Sequence, residues 1–263
     1  MRTVFTYFIN YSYLVFFLYI LLLLLGMELK VCSFNCCSLR KNINVIRKLT
    51  EEKYDIIFLQ ETFITDEKLG ELDYIDDHYQ SIGVGAKLSQ KSLVSMAGRP
   101  EGGMVCLWKT DAVFNIDKVV LENSICVLCL GINDKKVLLV NVYMNSDVWE
   151  STTLANYLDS LSKLEEILSD FSFDSVYMLG DFNADPFSGR AWHNLSEFMT
   201  RNCLKCFDYE TLDSNTFTFM SYGNSFCKWL DHIIGKNGDG FEVRDIVVRH
   251  DLTGSDHFSF YNS

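Results

Sequence analysis

The chain has 263 residues, of which 48% are hydrophobic and only two are proline. This length and apolar content allow one sizeable core, and no linker-like stretch or internal repeat divides the sequence. The 23 basic and 35 acidic side chains give a net charge of −12, which argues against a protein that holds nucleic acid by phosphate neutralisation alone. Action on a phosphate group stays open, because a bound divalent cation reverses the local field of an acidic site.

The first 26 residues form an apolar leader, which we separate from a predicted folded domain of residues 27–263. Residues 5–25 carry no charge, and residues 13–25 are continuously apolar. Three interpretations stay open: a signal peptide, a membrane anchor formed by residues 5–25, or a gene-model artefact upstream of a true start at Met27. The first two place the protein in the membrane or the secretory pathway. The third places it inside the cell, with access to nuclear DNA.

The nine cysteines are an odd number, and several lie within apolar runs, which favours buried, reduced thiols in an intracellular protein. The pairs Cys126/Cys129 and Cys203/Cys206 have a spacing that zinc sites use. The first pair, however, lies in a predicted strand, where an odd spacing sends the two side chains to opposite faces. The cysteine spacing is therefore weak evidence for zinc.

Apolar patterns along the chain predict a mixed α/β domain. Leucine and isoleucine recur at helical spacing in residues 43–49 and 154–168. Apolar runs of strand character occupy residues 54–59, 104–108, 112–121, 125–132, 136–144, 176–179 and 243–248. Runs of adjacent strands with helices between them indicate a sheet packed on a sheet, with helices covering the outside.

Three short polar strings follow strand-like runs, and strand ends are where α/β enzymes place their chemistry. The strings are Gln60-Glu61-Thr62, Gly180-Asp181-Phe182-Asn183 and Ser255-Asp256-His257. Phosphodiester cleavage needs a divalent cation, a group that activates water and a donor to the developing charge. Carboxylates, an amide and an imidazole supply these functions.

With these strings, the chain resembles the endonuclease/exonuclease/phosphatase superfamily from about residue 29 to residue 257. The resemblance also rests on Phe34-Asn35, Asn141-Val142-Tyr143 and Trp229-Leu230-Asp231-His232-Ile233. Residues 99–103 and 216–233 look most like the endonuclease domains of LINE-type (non-LTR) retrotransposons. The resemblance implies a four-layer α/β sandwich, in which two mixed sheets pack together between helices, and a hydrolase that uses Mg²⁺ or, in its place, Mn²⁺.

The resemblance also implies roles for individual residues. Glu61, Asn35 and Asp256 match the positions that hold the metal. Asp181 matches the aspartate that orients or deprotonates the attacking water, and Asn183 matches a donor to the phosphate. Taken singly, an Asp or Asn in such a position is more often ordinary turn chemistry.

Three further catalytic positions and three substrate contacts follow from the same match. His257 matches the histidine that contacts the scissile phosphate, Asp231 matches its partner, and Tyr143 places a phenol on the phosphate. The predicted substrate-binding residues are Thr218, Ser255 and Arg99. The predicted function is a DNA endonuclease of retrotransposon origin with DNA as its partner. The alternatives are an abasic-site nuclease, an inositol or lipid phosphatase, and a non-catalytic membrane-anchored interaction protein.

Overall fold

A computed structural model describes residues 16–22, 27–87, 100–122, 124–146, 150–221, 226–252 and 255–257, with only the backbone described for 16–22 and 27. Two six-stranded sheets dominate this part of the chain, and each contains both parallel and antiparallel pairs. Helices cover the outer face of each sheet. The four-layer α/β sandwich confirms the predicted fold class.

The first sheet has the strand order β14-β1-β2-β3-β5-β4. Its strands are β1 (Phe16–Leu22), β2 (Met27–Asn35), β3 (Ile56–Gln60), β4 (Tyr79–Val84), β5 (Met104–Lys109) and β14 (Phe241–Val248). Strands β2 and β3 are parallel, with Asn35 opposite Gln60. Both strands therefore end at the same edge of the sheet.

The second sheet has the strand order β10-β13-β9-β8-β7-β6. Its strands are β6 (Asn115–Glu122), β7 (Ile125–Ile132), β8 (Lys135–Tyr143), β9 (Ser175–Asp181), β10 (Lys205–Cys206) and β13 (Asp231–Lys236). Strands β8 and β9 are parallel and end together at Tyr143 and Asp181. Because β13 is antiparallel to β9, its first residue, Asp231, lies opposite Asp181.

The helices pack on the outer faces of the sheets as the apolar spacing predicts. They are α1 (Ile43–Glu51), a 3-10 helix (Asp66–Tyr74), α2 (Ser151–Asp170), α3 (Arg190–Arg201) and α4 (Phe207–Thr211). Ile46 and Leu49 of α1 are buried against the first sheet. Leu161 and Leu164 of α2 are buried against the second.

A third apolar layer lies between the sheets, where Phe58 of β3 and Leu139 of β8 belong to one buried cluster. The side chains of Cys126 and Cys129 face different layers, the first toward the other sheet and the second toward the helices. This placement confirms that the two thiols point to opposite faces of β7. Together they cannot form one zinc site.

Part of the predicted leader has a place in the first sheet. The backbone of β1 pairs with β2 on one side and with β14 on the other, which places residues 16–22 within the domain. The rest of residues 1–26 lies outside the described residues, so the nature of this segment stays a prediction. Within the described ranges, no helix combines the length and apolar character needed to cross a membrane.

Candidate active site

The polar ends of four strands and the start of a fifth meet where the two sheets come together. The first sheet contributes Asn35 at the end of β2 and Glu61 directly after β3. The second contributes Tyr143, Asp181 and Asp231 from β8, β9 and β13. Strand pairing thus assembles residues that are up to 196 positions apart in sequence, from Asn35 to Asp231.

Glu61 and Asn35 connect the two sheets at this point. The Glu61 Oε1 atom accepts hydrogen bonds from Asn35 Nδ2 at 3.1 Å and from the Tyr143 hydroxyl at 2.9 Å. Asn35 Nδ2 also donates to Asp181 Oδ2 at 2.9 Å, while Asn35 Oδ1 accepts the Cys37 N–H. Asn35 therefore presents its amide nitrogen to the carboxylates, and in this arrangement it orients them instead of offering a metal ligand.

His257 lies between two aspartates. Its Nδ1 atom donates to Asp231 Oδ2 at 3.1 Å, and its Nε2 atom lies 3.4 Å from Asp181 Oδ2. The Ser255 hydroxyl donates to the Asn35 carbonyl at 2.8 Å and accepts the His257 N–H at 3.3 Å. These contacts make Ser255 a support for the histidine, since its buried hydroxyl is used within the protein.

The two central groups of this cluster, Asp181 and His257, both have raised pKa values. Burial raises the pKa of Asp181 to about 7, with the nearby Asp231 and Glu61 adding to the rise and His257 opposing it. Burial by itself would lower the pKa of His257, but the carboxylates of Asp181 and Asp231 outweigh it and raise this pKa to about 10. The neighbouring carboxylates therefore favour the protonated imidazole of His257, and burial favours the protonated form of Asp181. Two groups whose pKa values differ in this way can serve as a general acid and a general base.

The backbone around the cluster takes uncommon conformations. Glu61 and Asn183 have φ angles of 50° and 48°, in the left-handed region that side chains other than Asn and Gly seldom adopt. Such conformations persist only where surrounding structure imposes them, and they concentrate at functional sites. Gly180 has a φ of 147°, and a Cβ atom there would lie 2.0 Å from the Val142 carbonyl oxygen of β8. The close approach of β8 and β9 therefore requires glycine directly before Asp181.

Asn183 lies in the turn after β9, on the wall of an open cavity. Its N–H donates to Asp181 Oδ1 at 2.9 Å, and its side-chain nitrogen donates to the Met144 carbonyl at 2.9 Å. The first bond fixes the orientation of the Asp181 carboxylate. The second holds the Asn183 amide at the cavity wall.

Thr218 has a different role from the predicted contact with DNA. The side chain is fully buried, and its hydroxyl accepts the N–H groups of Leu230 at 2.8 Å and Asp231 at 2.9 Å. A hydroxyl that is shielded from solvent in this way cannot reach DNA. This corrects the sequence-based assignment: Thr218 holds the backbone of Asp231, the partner of His257. Arg99, the third predicted substrate contact, lies outside the described residues.

The cluster opens into a cavity of about 420 Å³. Beside the residues already described, this cavity is lined by Asp256, Asp185, Arg190, Phe219, Phe226 and Lys228. A second cavity of about 390 Å³ lies on the other side of Tyr143 and is lined in part by Lys87 and Lys163. Tyr143 thus separates two adjoining openings.

The residues present fit a divalent cation. Glu61, Asp181 and His257 offer ligand atoms that lie within 4.8 Å of one another. Glu61 supplies a carboxylate to this group, which the carboxylate of Asp181 and the imidazole of His257 complete. Carboxylate oxygens are the donors that Mg²⁺ and Mn²⁺ prefer. Asp256 belongs to the same cavity wall but not to this group of three.

The fold and the cluster together define a class, the phosphoester hydrolases in which acidic strand ends of two packed sheets face one open site. The chain belongs to the Endonuclease/Exonuclease/phosphatase family, which it matches over residues 32–257. Members of this family hydrolyse phosphodiester bonds and generally use a divalent metal. No curated protein matches the sequence.

Solved structures of several proteins are similar to this fold. The AP endonuclease LMAP of Leishmania major superposes with a TM-score of 0.70 at 16% identity, covering 88% of this chain and 86% of that one. The catalytic domain of Xenopus laevis APE2 has a TM-score of 0.62 at 18% identity, covering 88% and 90%. The human Nocturnin catalytic domain has a TM-score of 0.61 at 16% identity, covering 88% and 92%. At these identities the likeness shows the fold alone, so it neither selects a substrate nor supports a closer relation to LINE-type endonucleases.

The sequence analysis assigned no role to a further pair of ionisable residues. His232 and Asp208 are fully buried and form an ion pair next to the catalytic cluster. A signal for His232 was available, because it follows Asp231 in a strand and its side chain must therefore point to the opposite face. Nothing in the sequence singled out Asp208.

Proposed function

We propose that the protein is a Mg²⁺-dependent DNA endonuclease, also active with Mn²⁺, that nicks DNA by in-line attack of water and leaves a 3′-hydroxyl. The observation that carries the proposal is the meeting of Glu61, Asp181 and His257 at one open cavity. Its proposed relation to LINE-type retrotransposon endonucleases rests on the sequence strings of residues 99–103 and 216–233.

The proposed roles follow from the hydrogen bonds and charges of the cluster. Asp181, with its pKa raised to about 7, accepts a proton from the attacking water. His257, held in the protonated state by Asp231, donates to a phosphate oxygen as negative charge develops there. Asn183 lines the same cavity with a second side-chain N–H to donate, while the Tyr143 hydroxyl holds the Glu61 carboxylate. A divalent cation held at Glu61 would supply positive charge to the phosphate and lower the pKa of bound water.

The walls of the two cavities support a substrate that extends to both sides of the scissile bond. Lys228 lines the cavity on one side of Tyr143, and Lys163, which pairs with Asp159 at 3.0 Å, lines the cavity on the other side. Phe226, 49% exposed, provides a ring on which a base can stack. Cations and an aromatic platform are the features with which proteins bind a nucleic-acid strand despite an overall negative charge.

The test is a nicking assay with the full chain and supercoiled plasmid, in Mg²⁺, in Mn²⁺ and in EDTA. Asp181→Asn and His257→Ala remove the proposed base and acid. Asp245→Asn, at an exposed position of β14, is the matched control for loss of one acidic charge. We expect metal-dependent nicking by the wild type and by the control, and none by the two site variants.

Parallel arms separate this proposal from other chemistry on the same fold. An oligonucleotide with one abasic site and an inositol polyphosphate are incubated with the same preparations. Cleavage restricted to the abasic strand would replace the proposal with a repair-type activity, and release of phosphate from the inositol alone would replace it with a phosphatase. A folded wild-type chain without activity on any of the three would point to the non-catalytic alternative.

A further inference from the structure

The inference concerns a second Asp–His pair behind the catalytic cluster. Asp231 and His232 are consecutive in β13, so their side chains leave the strand on opposite faces. Asp231 faces His257. His232 faces the interior, where it is completely buried and pairs with the equally buried Asp208.

Both ring nitrogens of His232 face hydrogen-bond acceptors. The Nδ1 atom lies 2.8 Å from Asp208 Oδ2, and the Nε2 atom lies 2.6 Å from the carbonyl oxygen of Ala184. A neutral imidazole carries only one N–H, so only the doubly protonated ring satisfies both contacts. A neutral ring would leave one of the two acceptors without a hydrogen bond, which would destabilise a fully buried site.

The surroundings of the pair support a charged imidazolium next to an ionised carboxylate. Asp208 Oδ1 accepts the Ile233 N–H at 2.7 Å and the Cys206 thiol at 3.2 Å. Two donors on one oxygen favour the carboxylate over the carboxylic acid. The rings of Trp192, Trp229 and Phe182 lie 5.2, 6.1 and 6.1 Å from the imidazole, close enough for cation–π attraction.

The same three polar groups could be taken for a metal site, since Cys206, Asp208 and His232 lie within 4.8 Å of one another. Burial raises the pKa of the Cys206 thiol well above its ordinary value, so the thiol keeps its proton. The 2.8 Å between Nδ1 and Asp208 Oδ2 is a hydrogen-bond distance with a proton between the atoms. The cluster is complete as a hydrogen-bonded network.

We propose that His232 is a positioning residue. Its Nε2–H donates to the carbonyl of Ala184 and thereby fixes the conformation of the turn that carries Asp181 and Asn183. Ala184 directly follows Asn183 and is fully buried beside the turn. The other end of His232 belongs to the strand that carries Asp231, the partner of His257. The His232 side chain therefore connects the turn that carries Asp181 to the strand that carries Asp231. The functional part of this inference rests on the proposed nuclease activity.

The test separates the two hydrogen bonds of the ring with two isosteric variants. In His232→Gln the amide nitrogen can replace Nε2 and still donate to Ala184, but the bond to Asp208 is lost. In His232→Asn the amide nitrogen can replace Nδ1 and donate to Asp208, but it cannot reach Ala184. Both variants remove the buried charge, so each serves as the stability control for the other.

For plasmid nicking by the full chain, we expect His232→Asn to lower kcat about 100-fold with little change in KM, because small displacements of reacting groups have effects of this order. We expect His232→Gln to stay within about 10-fold of wild type. Equal losses of kcat in the two variants would overturn the inference, since they would show a general structural role.

Two readouts that need no activity distinguish failure of this inference from failure of the proposed function. Crystal structures of the variants are expected to show the 181–184 turn displaced in His232→Asn and in place in His232→Gln. Nitrogen-15 NMR of the wild type at neutral pH is expected to show both ring nitrogens of His232 protonated. An unmoved turn in both variants, a singly protonated ring, or a metal ion bound at Cys206 would overturn the inference even in an active enzyme.

Discussion

The two Asp–His pairs of this protein have the same chemistry and opposite surroundings. In each, Nδ1 of the imidazole bonds an aspartate, at 3.1 Å for His257 with Asp231 and 2.8 Å for His232 with Asp208. In each, burial by itself would lower the pKa of the histidine, and neighbouring carboxylates raise it instead. Neither the residue types nor the charge states distinguish the pairs.

The difference lies in the second nitrogen. Nε2 of His257 points to Asp181 and borders the open cavity, where a substrate atom can reach it. Nε2 of His232 is used by the carbonyl of Ala184 and is shielded from solvent. An Asp–His pair becomes catalytic when one donor stays available to a ligand, and it becomes structural when the protein uses both donors itself. Variants of the two pairs should therefore fail in different ways.

The largest expected effect is a loss of activity on changing residues around His257, whose pair with Asp231 borders the cavity. Asp181→Asn and His257→Ala should each lower the nicking rate about 10²–10⁴-fold, because each removes a group that transfers or donates a proton in the transition state. Single-turnover nicking measures the rate, and circular dichroism shows that the variants fold. Wild-type rates in either variant would remove that residue from the chemistry.

The second largest expected effect is on stability, at the fully buried pair of His232 and Asp208. Asp208→Ala leaves the His232 imidazolium buried without its carboxylate, which should lower the free energy of unfolding by about 3–5 kcal/mol. Asp231→Ala is the matched comparison, since it breaks the pair that borders the cavity and water can replace the lost contact. Urea unfolding measures both. An equal loss of stability in the two variants would contradict the distinction between the pairs.

A smaller effect on stability should appear at Thr218, which holds the backbone of Asp231, the partner of His257. Thr218→Val keeps the shape but removes the acceptor of two buried N–H groups, and it should lower the free energy of unfolding by about 1–3 kcal/mol. Thr218→Ser restores the hydroxyl and should recover most of the loss. Unfolding curves test this, and a Val variant as stable as the wild type would show that water or another group serves those amides.

The smallest effect is a pH dependence of stability that belongs to His232. Its pKa in the folded chain is raised above the ordinary value of 6.5: burial opposes the rise, but the carboxylate of Asp208, the Ala184 carbonyl and Asp231 produce it. A raised folded pKa gives stability that is complete below about pH 6.5 and is lost as the pH rises through the folded pKa. The gap in unfolding free energy between wild type and His232→Gln should therefore be larger at about pH 6 than at about pH 9. A gap that is constant or grows with pH would contradict the charged state.

Much of the fold could be predicted because its signals are local. Strand β7 was predicted at its observed limits, residues 125–132, since a continuous apolar run needs only its own residues to be recognised. The polar strings at the ends of β3 and β9 pointed to Glu61 and Asp181, because strand ends are where α/β enzymes place their chemistry. The runs of adjacent strands indicated a sheet packed on a sheet, and the resemblance to the superfamily implied the four-layer sandwich, whereas periodicity by itself indicated only a mixed α/β domain.

The order of residues in the chain determined which strands form and which polar groups stand at their ends. Only the tertiary structure decided which groups meet. Thr218 lies in a string that predicted a surface contact, and packing turned its hydroxyl toward the Leu230 and Asp231 amides. Asp208 and His232 are 24 positions apart and meet because β10 pairs with β13. Hydrogen-bond partners depend on how helices and strands pack against one another. A sequence pattern shows the periodicity of one helix or strand, but it does not show where the next one lies.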